Sequence, residues 1–125
     1  MVAEAQARFG KIDILVCNAA SNPHYGSMMG MSDELFRKIF DNNVLANHGL
    51  ITMVAPGMIE RKDGAIIILS SIGGLVGSDV IGAYNISKAA DFQLARNYAI
   101  ELAPHNIRVN AIAPGVIQTD FARSL

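Results

Sequence analysis

The sequence predicts an α/β domain built on a parallel sheet, and three observations carry that expectation. Three short runs, residues 12–17, 65–69 and 107–112, are apolar and rich in β-branched residues. Between them lie segments with helical patterning, long enough for crossover connections. Each run then stops at small or polar residues: Asn18-Ala19-Ala20, Ser70-Ser71 and Pro114-Gly115. Strands alternating with helices form parallel sheets through right-handed crossovers. Ligands of such sheets sit at the carboxyl ends of the strands. The convergence of unusual residues at all three ends therefore marks a candidate site. At 125 residues the chain is one domain or part of one.

Residues 1–9 read as the end of a helix stopped by Gly10. Residues 12–17 suit a short buried parallel strand. Cys17 is expected to be a plain buried hydrophobe, since nothing basic nearby would activate its thiol. Residues 21–31 form a loop in which Met28, Met29 and Met31 either line a pliable apolar pocket or fill gaps in the core. Ser32 caps a helix with Asp33 and Glu34 in its first turn, favourably placed against the dipole. Leu35, Phe36, Ile39 and Phe40 give that helix an apolar face. Asp41-Asn42-Asn43 is out of place inside a helix, because Asn and Asp compete for backbone bonds. A distortion is expected there, serving either a site or a structural water, with the helix resuming towards Glu60 and kinking at Pro56. Residues 61–64 form a turn before the second buried strand. Residues 83–103 form a helix stopped by Pro104, with Ala89, Phe92, Ala95, Ala99 and Leu102 on its packed face and Arg96 and Glu101 in solvent. Residues 116–125 are loop with a possible helix start.

Composition narrows the function classes. Apolar residues make up 51% of the chain and charged ones 17%, which is globular rather than disordered. The net charge of −1, without a basic run, argues against nucleic acid as the main partner. A single cysteine excludes an internal disulfide framework and fits a reducing compartment. His24, His48 and His105 lack ligand spacing, so no metal site is expected. No apolar stretch approaches a membrane span and the N-terminus lacks a signal-like core, so a cytoplasmic protein with no membrane partner is expected.

Chemistry concentrates between Ser70 and Lys88. Two serines end the second strand, a loop with Gly73, Gly74, Gly77 and Gly82 follows, and the stretch closes on Tyr84-x-x-x-Lys88. Four-residue spacing on a helix places phenol and ammonium on one face, a turn apart. A phenol with a reference pKa of about 10 is a poor acid-base group at neutral pH. A cation beside it favours phenolate and lowers that value. A serine hydroxyl delivered by the strand end could polarise a carbonyl oxygen. The alternative is a tyrosine and a lysine on a solvated helix face. The strand-end serine, thirteen residues before the tyrosine, favours the site.

These residues resemble the short-chain dehydrogenase/reductase family from its fourth strand onward. Cys17-Asn18-Ala19-Ala20 is similar to the family's Asn-Asn-Ala-Gly motif, with Cys and Ala replacing its first and last residues. The resemblance implies a Rossmann-type doubly wound parallel sheet, of which residues 1–125 are the catalytic half without the first three strands. It implies that Asn18 braces the central sheet and, with Ala19, lies at the cofactor. Asn43 would hold a water of a proton relay, and Ser71 would polarise the substrate oxygen. Tyr84 would be the general acid-base, with Lys88 lowering its pKa and binding the nicotinamide ribose. Pro114 and Gly115 would cover the nicotinamide, with the Ile117 backbone and Thr119 contacting the carboxamide or pyrophosphate. The implied cofactor is NAD or NADP, and the substrate a small ketone or secondary alcohol. An enoyl reductase fits less well, because that chemistry usually spaces its tyrosine and lysine differently. Subunits would pair as a homodimer or homotetramer through the two long helices.

The departure from the family lies in what is absent. The glycine-rich turn Thr-Gly-x-x-x-Gly-x-Gly has no counterpart, nor has the residue that selects NAD or NADP. The glycines at 73, 74 and 77 follow a strand but have the wrong spacing, and read as a substrate-side loop. Without a first strand beside it, residues 12–16 would form an open apolar edge. The chain is therefore expected to be part of a longer enzyme, with Met1 internal or a misplaced start and Arg123-Ser124-Leu125 a cut end without targeting weight. The reading from another class is an inactive fragment that serves only in interaction or dimerisation.

Overall fold

A computed structural model describes residues 1–120 and 122. The parallel strands β1 (Ile14–Cys17), β2 (Gly64–Leu69) and β3 (Ile107–Ile112) lie side by side in that order. Ile14 pairs with Ala65 and Cys17 with Ile68, while Gly64 pairs with Ile107 and Leu69 with Ile112. The helices are α1 (Val2–Phe9), α2 (Asp33–Phe40), α3 (Ala46–Arg61) and α4 (Gly82–Leu102), with a π-turn (Asp41–Leu45) joining α2 to α3. Parallel α/β alternation is thus as expected.

The core lies on one face of the sheet. Cys17, Ile66, Ile68, Ile107 and Val109 point to that face and meet Ile51, Val54 and Met58 of α3 and Ala95 and Leu102 of α4. Both crossovers run in the same direction across the sheet, so a common handedness places both helices on the same side. The other face stays partly open, and this corrects the expectation of a buried first strand. Ile14 is 62% exposed and Val16 51%. β1 also forms an edge of the sheet, as the open-edge argument anticipated.

Local chemistry explains the element ends. Gly10 stops α1 at φ 84°, where its N–H reaches the Gln6 carbonyl. The Ser32 hydroxyl accepts from the Leu35 N–H at 3.2 Å and opens α2. At Asp41–Leu45 the backbone widens to a π-turn, with the Ala46 N–H on the Asp41 carbonyl. Asn43 within this turn and Asn47 just after it are both buried. Beyond it α3 continues through Pro56 to Arg61. Lys62 then takes the left-handed conformation at φ 55° and releases the chain into β2. Gly64 is required there, since a Cβ would stand 2.5 Å from the sulfur of buried Met58.

Smaller expectations divide. Cys17 is buried, and burial followed by the nearby Asp91 charge raises its thiol to about 11, so it is an inert hydrophobe. Met29 is 96% exposed and fills neither pocket nor core, because its short 3-10 turn (Met28–Gly30) lies at the surface. No helix of the described residues is long and apolar enough to cross a membrane. The expectation for Arg123-Ser124-Leu125, and the last part of the possible C-terminal helix start, fall outside the described residues. Before them the Ala122 N–H closes a turn on the Thr119 carbonyl.

Candidate active site

The carboxyl ends of the three strands enclose a cavity of about 670 Å³, within the range of small-molecule sites. Asn18 and Ala19 reach it from β1, Ser71 from β2, Tyr84 and Lys88 from α4, and Pro114, Gly115, Ile117 and Thr119 from the segment after β3. Of the ten residues singled out in the sequence, only Asn43 does not line it.

Ser71 is oriented by its own turn. The Gly73 N–H donates to Ser71 Oγ at 3.0 Å, which leaves the hydroxyl proton free to point elsewhere. That turn can lie on α4 because of Gly74, where a Cβ would stand 2.7 Å from the Lys88 backbone. The Ser71 hydroxyl lies close enough to the Tyr84 phenol to favour its phenolate form. Helix α4 is further fastened to the strand end by Ser70, whose hydroxyl donates to the Lys88 carbonyl at 2.7 Å.

Lys88 departs from the simple picture of a cation dedicated to the phenol. Its Nζ lies 5.8 Å from the centroid of the Tyr84 ring, but it donates to the Leu69 carbonyl at 2.8 Å and to Asp91 Oδ2 at 3.2 Å. Both partners of this ion pair are buried. Asp91 Oδ1 also accepts from Asn47 Nδ2 at 3.0 Å. Burial raises the Asp91 carboxyl, and Lys88 and Asn47 work against that rise.

Tyr84 is correspondingly raised rather than lowered. Burial is the largest cause, the Ser71 hydroxyl opposes it, and Asp91 and Tyr25 add to it. The expectation of a phenol pulled down by Lys88 is thus corrected in this state. The cation is paired with a carboxylate, and the carboxylate itself disfavours phenolate.

Asn43 stands behind the cavity and is fully buried. Its Nδ2 donates to the Ser21 carbonyl at 2.9 Å and to Ser87 Oγ at 3.0 Å, while its Oδ1 accepts from the Ser21 N–H at 2.8 Å. Its own carbonyl accepts from Asn47 at 2.8 Å. The side chain implied to serve a water relay therefore ties the loop after β1 to α4. Asn18 is exposed at the cavity rim.

Sequence reasoning missed Asp91 and Asn47. The available signals were an acid three residues after Lys88 and an amide one turn after Asn43, both at spacings that share a helix face.

A family model described as enoyl-(acyl carrier protein) reductase matches residues 1–125. Human dehydrogenase/reductase SDR family member 4 is 46% identical over 125 residues, which is all of this chain and 45% of that protein. Human dehydrogenase/reductase SDR family member 2, mitochondrial, is 42% identical over 123 residues, 98% of this chain and 44% of that protein. The chain thus spans about half the length of the curated relatives it matches. Among solved structures, a gluconate 5-dehydrogenase from Burkholderia cenocepacia J2315 in complex with NADP and tartrate superposes with a TM-score of 0.93 at 28% identity. It covers 99% of this chain and 48% of the other. An NAD+-bound xylitol dehydrogenase gives 0.91 at 33% identity, over 96% of this chain and 46% of the other. Both the sheet with its strand-end cavity and these likenesses lead to one conclusion: the chain belongs to the short-chain dehydrogenase/reductase family.

Proposed function

We propose that the chain carries the catalytic half of an oxidoreductase that interconverts a small ketone and a secondary alcohol with NAD or NADP. The observation that carries this reading is the meeting of Ser71, Tyr84 and Lys88 at one cavity wall. The residues present fit the nicotinamide-ribose end of such a cofactor. Lys88 commits two of its three N–H donors to protein and lines the cavity. Ala19 and Gly115 offer low walls through which a flat ring can approach the backbone. Two structurally similar proteins are described as bound to NADP and to NAD+, which supports the cofactor class without choosing between them.

A reduced nicotinamide, held beside Tyr84 and Lys88, would supply the hydride. As the carbonyl carbon is reduced, negative charge develops on its oxygen, and the Ser71 hydroxyl donates a hydrogen bond to it. Tyr84 delivers the proton that completes the alcohol. Burial holds the phenol in its protonated form, the form an acid needs. The phenolate left behind is stabilised by the Ser71 hydroxyl and by the Lys88 ammonium over its ring. In the alcohol-oxidising direction the same phenolate takes the proton back.

Reduction of a carbon–carbon double bond, the activity in the matched model's description, is the less favoured reading. Once their mutual contact gives way, Ser71 and Tyr84 can each turn a hydroxyl proton to one substrate oxygen, which suits a C=O carbon being reduced directly. Pairing of subunits through α3 and α4 belongs to the same proposal, supported by Met53 at 55% and Ile100 at 79% exposure on those helices.

The test is Tyr84→Phe in the full-length protein. Turnover of ketone substrates should fall about 10²–10⁴-fold, with NADH or NADPH affinity, followed by fluorescence titration, nearly unchanged. Normal turnover by this variant would rule the mechanism out.

A further inference from the structure

Asp91 is the one fully buried carboxylate among the described residues, and the reaction as written gives it no task. Its surroundings are nevertheless specific. Lys88 reaches it from the preceding turn of α4, and Asn47 reaches it from α3 just past the π-turn. Cys17, at the end of β1, is close enough to feel its charge. Asn47 in turn donates to the Asn43 carbonyl, so one amide links the π-turn to the acid. A buried carboxylate costs several kcal/mol to desolvate, and here it meets a buried ammonium that would otherwise lack a counter-charge, so its position bears directly on Lys88.

We propose that Asp91 is a positioning residue: held by Asn47, it anchors the Lys88 ammonium at the end of β2 and offsets the positive charge that Lys88 presents to the Tyr84 phenol. The geometry favours this over a simple counter-ion role. The ammonium is shared between the Leu69 carbonyl on the strand and Asp91 Oδ2 on the helix, so its position is defined from two elements. The phenol is faced by Ser71 from the strand end, Tyr25 from the loop after β1, and Lys88 and Asp91 from its own helix. Lys88 is the only cationic group lining the cavity among the described residues. Asp91 therefore decides how much of the cavity's only fixed cation reaches Tyr84. The balance keeps the phenol protonated, as an acid, until a ligand engages the third ammonium N–H.

The inference rests on reading Tyr84 as the proton donor, but its test does not use turnover. Tyrosines labelled at 13Cζ, with Tyr84 assigned through Tyr84→Phe, report the phenol titration by NMR in the full-length protein. In Asp91→Asn the Tyr84 midpoint should move to lower pH, because an uncompensated ammonium now favours phenolate. Adding Lys88→Met should move it back up. Asp91→Ser removes the same charge with a smaller side chain, and serves if the asparagine variant does not fold. In the unaltered protein, the Lys88 15Nζ resonance should shift as Asp91 takes up its proton in acid. A purely structural role predicts lost stability with an unmoved Tyr84 midpoint. A midpoint unchanged in either neutral variant, or a Lys88 resonance flat through the Asp91 titration, would overturn the proposal. If instead Tyr84→Phe kept its turnover while these shifts appeared, the proposed function would fail and the charge coupling would stand.

Discussion

The two halves of α4 have similar apolar content and very different burial. Its first half buries Asn85, Ser87, Lys88 and Asp91 along with Gly82 and Ala83, whereas its second half buries only Ala95 and Leu102. A helix formed only to cover a sheet would have the opposite distribution, because buried polar groups cost free energy unless fully bonded. Ser87 donates to the Tyr84 carbonyl, Lys88 and Asp91 meet each other, and Asn85 Nδ2 donates to the Val76 carbonyl while its Oδ1 stays without a partner. The second half lies over β3 and packs apolar groups against the core. One end of the helix is built for a site and the other for stability, and the two should respond differently to substitution.

The comparison is sharpened most by Tyr84→Phe in the first half, with its expected loss of two to four orders of magnitude in turnover and little change in melting temperature. In the second half the converse is expected. Leu102→Ala should cost about 2–5 kcal/mol of stability, read by chemical denaturation, with the Tyr84 titration unmoved. If Leu102→Ala moved that titration, the division of the helix would collapse. Ser70→Ala tests the seam between strand and site. It removes one buried hydrogen bond to the Lys88 carbonyl and should cost about 1 kcal/mol. The smallest effect belongs to Gln93→Ala, whose contacts to Asn97 and Arg96 are exposed. A change within about 0.5 kcal/mol is expected, and a larger one would mean that this face is covered in solution.

Much of this was legible in the sequence. The β-branched run at 107–112 became β3 with the same limits, and Ser32 capped α2 as its position implied. The Asp-Asn-Asn triplet at 41–43 did distort the helix, because side chains that compete for backbone bonds signal their conflict locally. The cavity residues at the strand ends were found by the same logic, since a parallel sheet brings all its carboxyl ends to one side. Two things were not legible. Asn43 was read as holding a relay water, and nothing in its local sequence showed that its side chain would bond Ser21 and Ser87. Lys88 was read as a cation free to act on a phenol, but a carboxylate three residues on takes up part of its charge.

Local signals along the chain set the order of strands and helices, their caps, and the positions of Ser71, Tyr84 and Lys88. Those depend on periodicity, turn chemistry and local spacing, which operate over a few residues. Packing between distant segments settles which sheet face α3 and α4 cover and where the Lys88 charge goes. An acid at i+3 from a lysine reads the same on a solvated surface as in a core. What distinguishes them is desolvation, and that exists only once α3 brings Asn47 against α4 and the pair is closed from water.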